Sequence, residues 1–391
     1  MAKILTLILA LASVWLDYTA YKRLKSHGIN RKILYSFAGT VLASCLLILL
    51  TPLFMFIFID AENSQWMMKF SMSILTVYLF FSVSRLFAYA FWLPSKRKFW
   101  MKAGISAGAL LFMFLAYSAF VTRTDYKVNK VTLSFNNVPN EFSGCRIAFI
   151  SDMHIGSMWN AESELEELSE LIGEINPDLL VFGGDLVNIH NSELSPEILS
   201  LLGCIKGTEG TFAVLGNHDT GAYINGSTPE SRALNISMIE SKIKDAGWTL
   251  LRDSTVYIRR GSSCIALTGI DYSEKLLDYK HSLNAIEDFD VSHVYKNVPD
   301  SVFNITVSHL PQLWHSLCDN GYSDLTLSGH IHAMQMKIAG LSPAALMYDE
   351  WSGLYERPNG KLYINDGIGS VGFFARIGAR PEVTVIELRC E

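Results

Sequence analysis

Four apolar runs fill the first third of this 391-residue chain, roughly Ile4–Ala20, Ile33–Ile59, Trp66–Leu93 and Gly104–Val121. Each is near or above the ~18–20 residues needed to cross a bilayer, so the expectation is four membrane helices. Half of all residues are hydrophobic, too many for a purely soluble protein of this length, and the excess lies in these runs. A cleaved signal peptide would account only for the first run. That run is short and begins after Lys3, but it lacks a small-residue cleavage site and three more runs follow it.

Cations set the expected orientation. Lys22, Arg23, Lys25, Arg31 and Lys32 follow the first run, and Lys96, Arg97, Lys98 and Lys102 follow the third, whereas the link after the second carries Asp60, Glu62 and only Lys69. The positive-inside rule then puts the first and third links in the cytoplasm and everything after Val121 outside. Arg123, Lys127 and Lys130 just beyond the fourth run count against this orientation. Arg85, inside the third run, lies about two turns from the cationic link, so its head is expected to snorkel to the interface. Six cysteines with no close pair argue against a disulfide framework or a structural zinc site. A net charge of -6 offers no basic footprint, so no nucleic-acid partner is expected.

After about residue 122 short apolar strands alternate with polar helices, the texture of an α/β domain. The expected domains are therefore 1–121, in the membrane, and 122–391. Lys130–Phe135 and Arg146–Ile150 read as a first strand pair. Asn160–Ile175 reads as an amphipathic helix capped by Asn160, with Leu165, Leu168, Ile172 and Ile175 on one face. Its glutamates Glu162, Glu164, Glu166, Glu167, Glu170 and Glu174 are read as a solvated face.

Five apolar runs of this second part end on residues that can bind or react. Arg146–Ser151 leads to Asp152 and His154, Leu179–Phe182 to Gly183-Gly-Asp185, and Thr211–Leu215 to Gly216-Asn-His-Asp219. Val302–Ser308 leads to His309, and Asp324–Ser328 to Gly329-His-Ile-His332. In α/β folds sites assemble at that end of the strands, where loops converge on a rigid sheet. One such strand end would mean little; together they supply enough aspartate, asparagine and imidazole for two metals of borderline softness sharing one carboxylate. Glycine before Asp185, Asn217 and His330 permits the close approach a crowded site requires.

In order, Asp152-x-His154, Gly184-Asp185, Gly216-Asn-His-Asp219, His309 and Gly329-His-x-His332 resemble the blocks of the calcineurin-like metallophosphoesterases, over about Cys145–Leu388. Trp351-Ser-Gly-Leu-Tyr355, Gly360–Asn365, Gly367-Ile-Gly369 and Arg380–Thr384 further resemble the membrane-associated YkuE-like branch, which implies a bacterial cytoplasmic membrane. The resemblance implies a four-layer α/β/β/α sandwich with a two-metal centre at one edge. Asp152, His154, Asp185 and His332 would hold the first metal. Asp185, Asn217, His309 and His330 would hold the second, with Asp185 bridging. His218 would contact substrate or leaving group, and Asp219 would orient it. Branch members commonly follow the last motif with Gly-Gly-Gln, where this chain has Ala333-Met334-Gln335; the ligands are untouched, but the change bears on substrate specificity.

Two divalent cations, manganese, iron or zinc by the mixed N/O donors, would leave a positive pocket for a phosphate. They would lower the pKa of a shared water and aim the hydroxide at phosphorus, while His218 stabilised the phosphate oxygens or protonated the leaving alkoxide. The expected activity is hydrolysis of a phosphodiester, pyrophosphate or phosphomonoester, with lipid-linked substrates suggested by the membrane tether. A UDP-diacylglucosamine-type pyrophosphatase fits the family, against which an extracytoplasmic site would deny it a cytosolic nucleotide. The alternatives are a nuclease, disfavoured by acidic charge, and a non-catalytic membrane sensor or scaffold, disfavoured by a complete ligand set. His190 reads as a loop residue or a substrate contact, and His27, His281, His293 and His315 have no partner pattern. Ala339–Gly353, with Pro343, Met347, Tyr348 and Trp351, reads either as an apolar rim at the site or as packing.

Overall fold

A computed structural model describes residues 2–58, 64–95, 97–272, 276 and 289–391. Asp60, Glu62, Lys96 and His281, used or noted above, lie outside the described residues. The chain divides into two compact units, Met1–Ile59 with Phe70–Phe120 and Gly372–Ala375, and Asp60–Lys69 with Val121–Val371 and Arg376–Glu391.

The first unit is helical, with α1 (Ala2–Ser26), α2 (Arg31–Phe58), α3 (Ser64–Trp92) and α4 (Lys98–Tyr117) lying over the four apolar runs. Among the described residues, two stretches, Gln65–Trp92 and Lys98–Thr122, are long and apolar enough to cross a membrane. Glycines 104 and 108 of α4 let it pack closely on α3: a Cβ at Gly108 would lie 2.8 Å from the Ser84 carbonyl oxygen and 2.9 Å from Ala88 Cβ. Arg85 does not snorkel. It is only 8% exposed, its Nε lies 3.3 Å from Asp17 Oδ1, and its Nη2 donates to Ser13 Oγ at 3.1 Å. A carboxylate on α1, far away in sequence, gives the guanidinium a partner inside the bundle, and the Tyr89 hydroxyl donates to the same oxygen at 2.8 Å.

The second unit is a mixed α/β fold built on two sheets. Twelve strands form them: β1 (Lys127–Phe135), β2 (Arg146–Ile150), β3 (Leu179–Phe182), β4 (Gly210–Ala213), β5 (Thr249–Leu250), β6 (Ser254–Arg260), β7 (Ser263–Gly269), β8 (Asn304–Val307), β9 (Leu325–Ser328), β10 (Gly353–Arg357), β11 (Gly360–Ile364) and β12 (Glu382–Cys390). The first sheet runs β1-β12-β2-β3-β4-β5 and the second β10-β11-β9-β8-β7-β6. β1 and β2 therefore form as expected but do not pair. The C-terminal β12 lies between them, parallel to β1 and antiparallel to β2, and takes the ladder hydrogen bonds a hairpin would have used.

Strand alternation decides the core. Ile147 and Phe149 of β2 face one way and join Val181, Leu267, Ile305 and Leu327 in a core drawn from both sheets. Ala148 and Ile150 face the other way and pack with Leu165, Leu168 and Ile172 of α5 (Ala161–Ile175), Ile198 of α6 (Pro196–Cys204) and Ile239 of α7 (Pro229–Asp245). On the second sheet, Leu362 and Ile364 pack with Trp314 and Cys318 of the short helix Trp314–Asp319. Both sheets are thus held from either side, at a gain of roughly 2–3 kcal/mol for each large apolar side chain removed from water.

Asn160 caps α5 by accepting the Ser163 N–H, as the sequence indicates. The glutamate face is not uniform, however. Glu164 is buried and receives both terminal nitrogens of buried Arg123, at 2.8 and 3.0 Å, while the other five glutamates are exposed. Glu164→Ala would strand a buried guanidinium, an error costing about 3–5 kcal/mol, whereas Glu166→Ala should stay within about 0.5 kcal/mol. Thermal unfolding of the full-length protein is expected to fall by several degrees for the first and not measurably for the second.

Candidate metal centre

Parallel pairing puts the ends of β2, β3 and β4 side by side in one sheet and the ends of β8 and β9 side by side in the other. The loops leaving these five ends carry the polar residues that the sequence marked. Asp152, His154, Asp185 and His332 bring one ligand atom each within 4.8 Å of one another, and Asp185, His309 and His330 form a second such group. Asp185 belongs to both. Its Oδ2 lies 3.6 Å from His154 Nε2 and 3.2 Å from His309 Nε2, while His332 Nε2 lies 3.1 Å from Asp152 Oδ1 and 3.2 Å from His154 Nε2. Asn217 joins the second group through Oδ1, 3.0 Å from His309 Nε2, and His330 Nδ1 lies 3.2 Å from that same nitrogen. The two imzidazoles of the last motif thus separate, one to each group.

Backbone strain is concentrated here. Asp152, His154, Asp185, His330 and His332 all have positive φ, between 45° and 72°, at roughly 1–2 kcal/mol each for a residue with a Cβ. The glycine that would relieve it cannot ligate. Hydrogen bonds hold the conformation instead: Asp152 N–H donates to Gly184 O at 2.9 Å, His154 N–H to Asp185 O at 3.1 Å, and His330 N–H to the Asp152 carboxylate at 3.1 Å. The left-handed run continues through Ala333, Met334 and Gln335 at φ 47°, 48° and 57°, a backbone region that favours glycine. Gln335 secures it by donating to Val371 O and accepting Val371 N–H, each at 2.8 Å.

His218 and Asp219 have different tasks. The Asp219 carboxylate accepts the backbone N–H groups of Asp185, Leu186, Val187 and Gly216 at 2.8–3.0 Å, which ties the Asp185 loop to the Asn217 loop. It is the Asn188 carbonyl, 2.6 Å from His218 Nδ1, that meets the His218 ring. Tyr223 stacks on that ring with centroids 4.3 Å apart and takes the Asn217 amide on its hydroxyl at 2.8 Å. Asn188 and Tyr223 carry no motif of their own, and only the fold reveals them. So too Arg376, fully buried, which donates to Gly369 O, Asp366 O and Ala379 O beside His332. His190 caps a turn by accepting Ser192 N–H, and His315 pairs with Glu350 at 3.2 Å.

Electrostatics favours the ligating forms of His154, His330 and the two aspartates, whereas His309 must give up a proton to a cation. Burial, despite the nearby carboxylates, holds His154 and His218 below the ordinary imidazole value and His330 at about 3, so they are neutral. Burial disfavours His309's cation as well, but the Asp185 carboxylate beside it prevails and raises it to about 9. Burial likewise opposes ionisation of Asp152 and Asp185, and the surrounding imidazoles outweigh it, leaving both well below the usual carboxylate range. Burial and Asp185 push Asp219 up to about 7 against its backbone donors.

Oxygen and imidazole donors packed this closely, two of them carboxylates, fit borderline divalent cations. The glycines make the packing possible: a Cβ at Gly216 would collide with Asp185 Oδ1, and one at Gly329 with Ser151 Oγ and Asp152 Oδ2. Gly329→Ala is therefore expected to displace Asp152 and weaken metal binding about 10- to 100-fold, the usual loss when the support of a ligand is disturbed. Isothermal titration with manganese checks it.

The family profile described as calcineurin-like phosphoesterase matches residues 145–334. The chain is 26% identical over 306 residues to the uncharacterised metallophosphoesterase YkuE of Bacillus subtilis, covering 75% of this chain and 98% of that protein. It is 28% identical over 267 residues to a zebrafish (Danio rerio) transmembrane protein with a metallophosphoesterase domain, 67% of this chain and 57% of the other. It is 25% identical over 297 residues to the UDP-2,3-diacylglucosamine pyrophosphatase LpxG of Chlamydia muridarum, 65% of this chain and 86% of the other. With a buried Asp/His cluster at the ends of its strands, the chain carries a calcineurin-like metallophosphoesterase domain and is a metal-dependent phosphoester hydrolase.

Proposed function

We propose that this protein is a membrane-anchored two-metal phosphoesterase, its residues 122–391 a four-layer α/β/β/α sandwich behind four membrane helices in residues 1–121. In this reading Asp152, His154, Asp185 and His332 hold one cation, and Asp185, Asn217, His309 and His330 the other. The observation that carries it is the sharing of Asp185 between two ligand groups.

The chemistry bound cations would supply is positive charge, which draws phosphate oxygens in and makes water more acidic. The rest falls to the protein. His218 is fixed at both ends: its backbone N–H donates to Asp185 Oδ1 at 2.8 Å, and its ring Nδ1 keeps a proton on the Asn188 carbonyl. Nε2 is then the nitrogen free to exchange a proton, and the stacked Tyr223 limits the ring's rotation. The neutral ring has a lone pair at Nε2, so His218 would protonate a leaving alkoxide as the imidazolium, after gaining a second proton that the negative charge of a bound phosphate favours. Asp219 serves by holding the Asp185 and Asn217 loops together.

The substrate class in this proposal is a phosphodiester, pyrophosphate or monoester carried on a lipid. The named activity of the LpxG relative supports it, as does the exposed apolar rim after the last ligand motif. Leu341 and Leu346 there are 76% and 88% exposed, while Ser342 and Ala344 anchor the segment, Ser342 Oγ donating to Ala333 O at 2.7 Å. The segment Ala339–Gly353 thus combines packing at its base with an apolar edge.

Hydrolysis of bis-p-nitrophenyl phosphate by the full-length protein with manganese tests the assignment. Asp185→Ala is expected to abolish most turnover, and His218→Ala to lower kcat about 10²- to 10⁴-fold with bound metal retained. Wild-type kcat in His218→Ala would remove that residue from the chemistry, and wild-type turnover in Asp185→Ala would refute the shared site.

A further inference from the structure

The helical unit contains a cavity of about 300 Å³ between α3, α4 and the neighbouring helices, lined mainly by apolar side chains such as Phe81, Ile105 and Phe112. Ser84, Arg85 and Trp92 of α3 also line it. Arg85 and Trp92, seven residues apart, share one face of the helix, and Ser84 lies about 100° around from Arg85 on the cavity's other flank. Ser84 Oγ, Arg85 Nη1 and Trp92 Nε1 are buried and have no hydrogen-bond partner among the described residues, while Arg85 Nε faces Asp17 Oδ1 at 3.3 Å. Buried donors left unpaired are costly, and several of them around one apolar cavity call for a ligand with acceptor oxygens.

We propose that this cavity binds a phosphate-bearing lipid, its phosphodiester oxygens accepting from Arg85, Ser84 and Trp92 and its first methylenes lying along Phe81, Ile105 and Phe112. Guanidinium offers a planar fork that matches phosphate oxygens. Asp17 beside Arg85 already balances the guanidinium, so the phosphodiester's own charge is offset by donated hydrogen bonds and not by a net positive site, and the lipid chains are needed to hold it there. At about 300 Å³ there is room for a head group and the start of a chain, with the remainder in the bilayer. The proposal rests on the reading of this unit as a membrane domain and is separate from the metal centre.

Native mass spectrometry of the detergent-solubilised full-length protein, titrated with dioleoylphosphatidylglycerol, tests it against dioleoylglycerol, which has the same chains and no phosphate. Discrete phosphatidylglycerol adducts are expected, at least tenfold weaker in Ala109→Trp, which fills the cavity from its wall, and in the double variant Asp17→Asn with Arg85→Gln, which removes the guanidinium without stranding a charge. Ala109→Trp should hydrolyse bis-p-nitrophenyl phosphate like wild type. Equal adducts with dioleoylglycerol, or unchanged phosphatidylglycerol binding in both variants, would overturn the site. Alkaline carbonate extraction separates the premises: release of the protein from membranes refutes the membrane reading and the site with it, whereas retention in the membrane with indifferent variants refutes the site alone.

Discussion

The Asp185 carboxylate is the constraint around which the second unit is organised. It is buried at the junction of loops from both sheets, its Oδ1 accepts the His218 N–H, and its Oδ2 faces His154 and His309. An isolated carboxylate buried so deeply would be too costly to keep ionised. The imidazoles around it make it tolerable, and Asp219, by gathering four backbone N–H groups from the two adjoining loops, fixes where it stands. Without Asp219 the strained backbone at φ 59° is left with the His154 N–H on the Asp185 carbonyl and the His218 N–H on its carboxylate.

That arrangement explains why strain and catalytic potential coincide. Five candidate ligands sit in left-handed backbone because the chain must reverse within two to four residues of a strand end while still presenting a side chain. The rigid core of both sheets supplies the stability that offsets this cost. The same logic reaches Ala333 and Met334, which keep the left-handed geometry without glycine's freedom.

Much of this was legible in the sequence because the informative residues are local to their elements. Apolar runs that end in aspartate, asparagine or histidine give away both the strands and their functional ends, and the Asn160 cap and the Leu165–Leu168–Ile172 spacing mark α5. What pairs over long sequence distances was hidden. β12 comes from the far end of the chain to separate β1 from β2; Arg123 reaches Glu164, and Arg85 reaches Asp17. Each of these polar residues reads as solvated or snorkelling until the fold supplies its partner. Asp219 follows His218 directly and so reads as an aid to it, yet adjacency in a tight turn sends the two side chains to different partners.

Anomalous diffraction from crystals of the manganese-loaded protein addresses the central claim most directly. Two peaks flanking the Asp185 carboxylate, one among Asp152, His154 and His332 and the other among Asn217, His309 and His330, are what this account requires. A single peak, or a second one that does not touch Asp185, would contradict it.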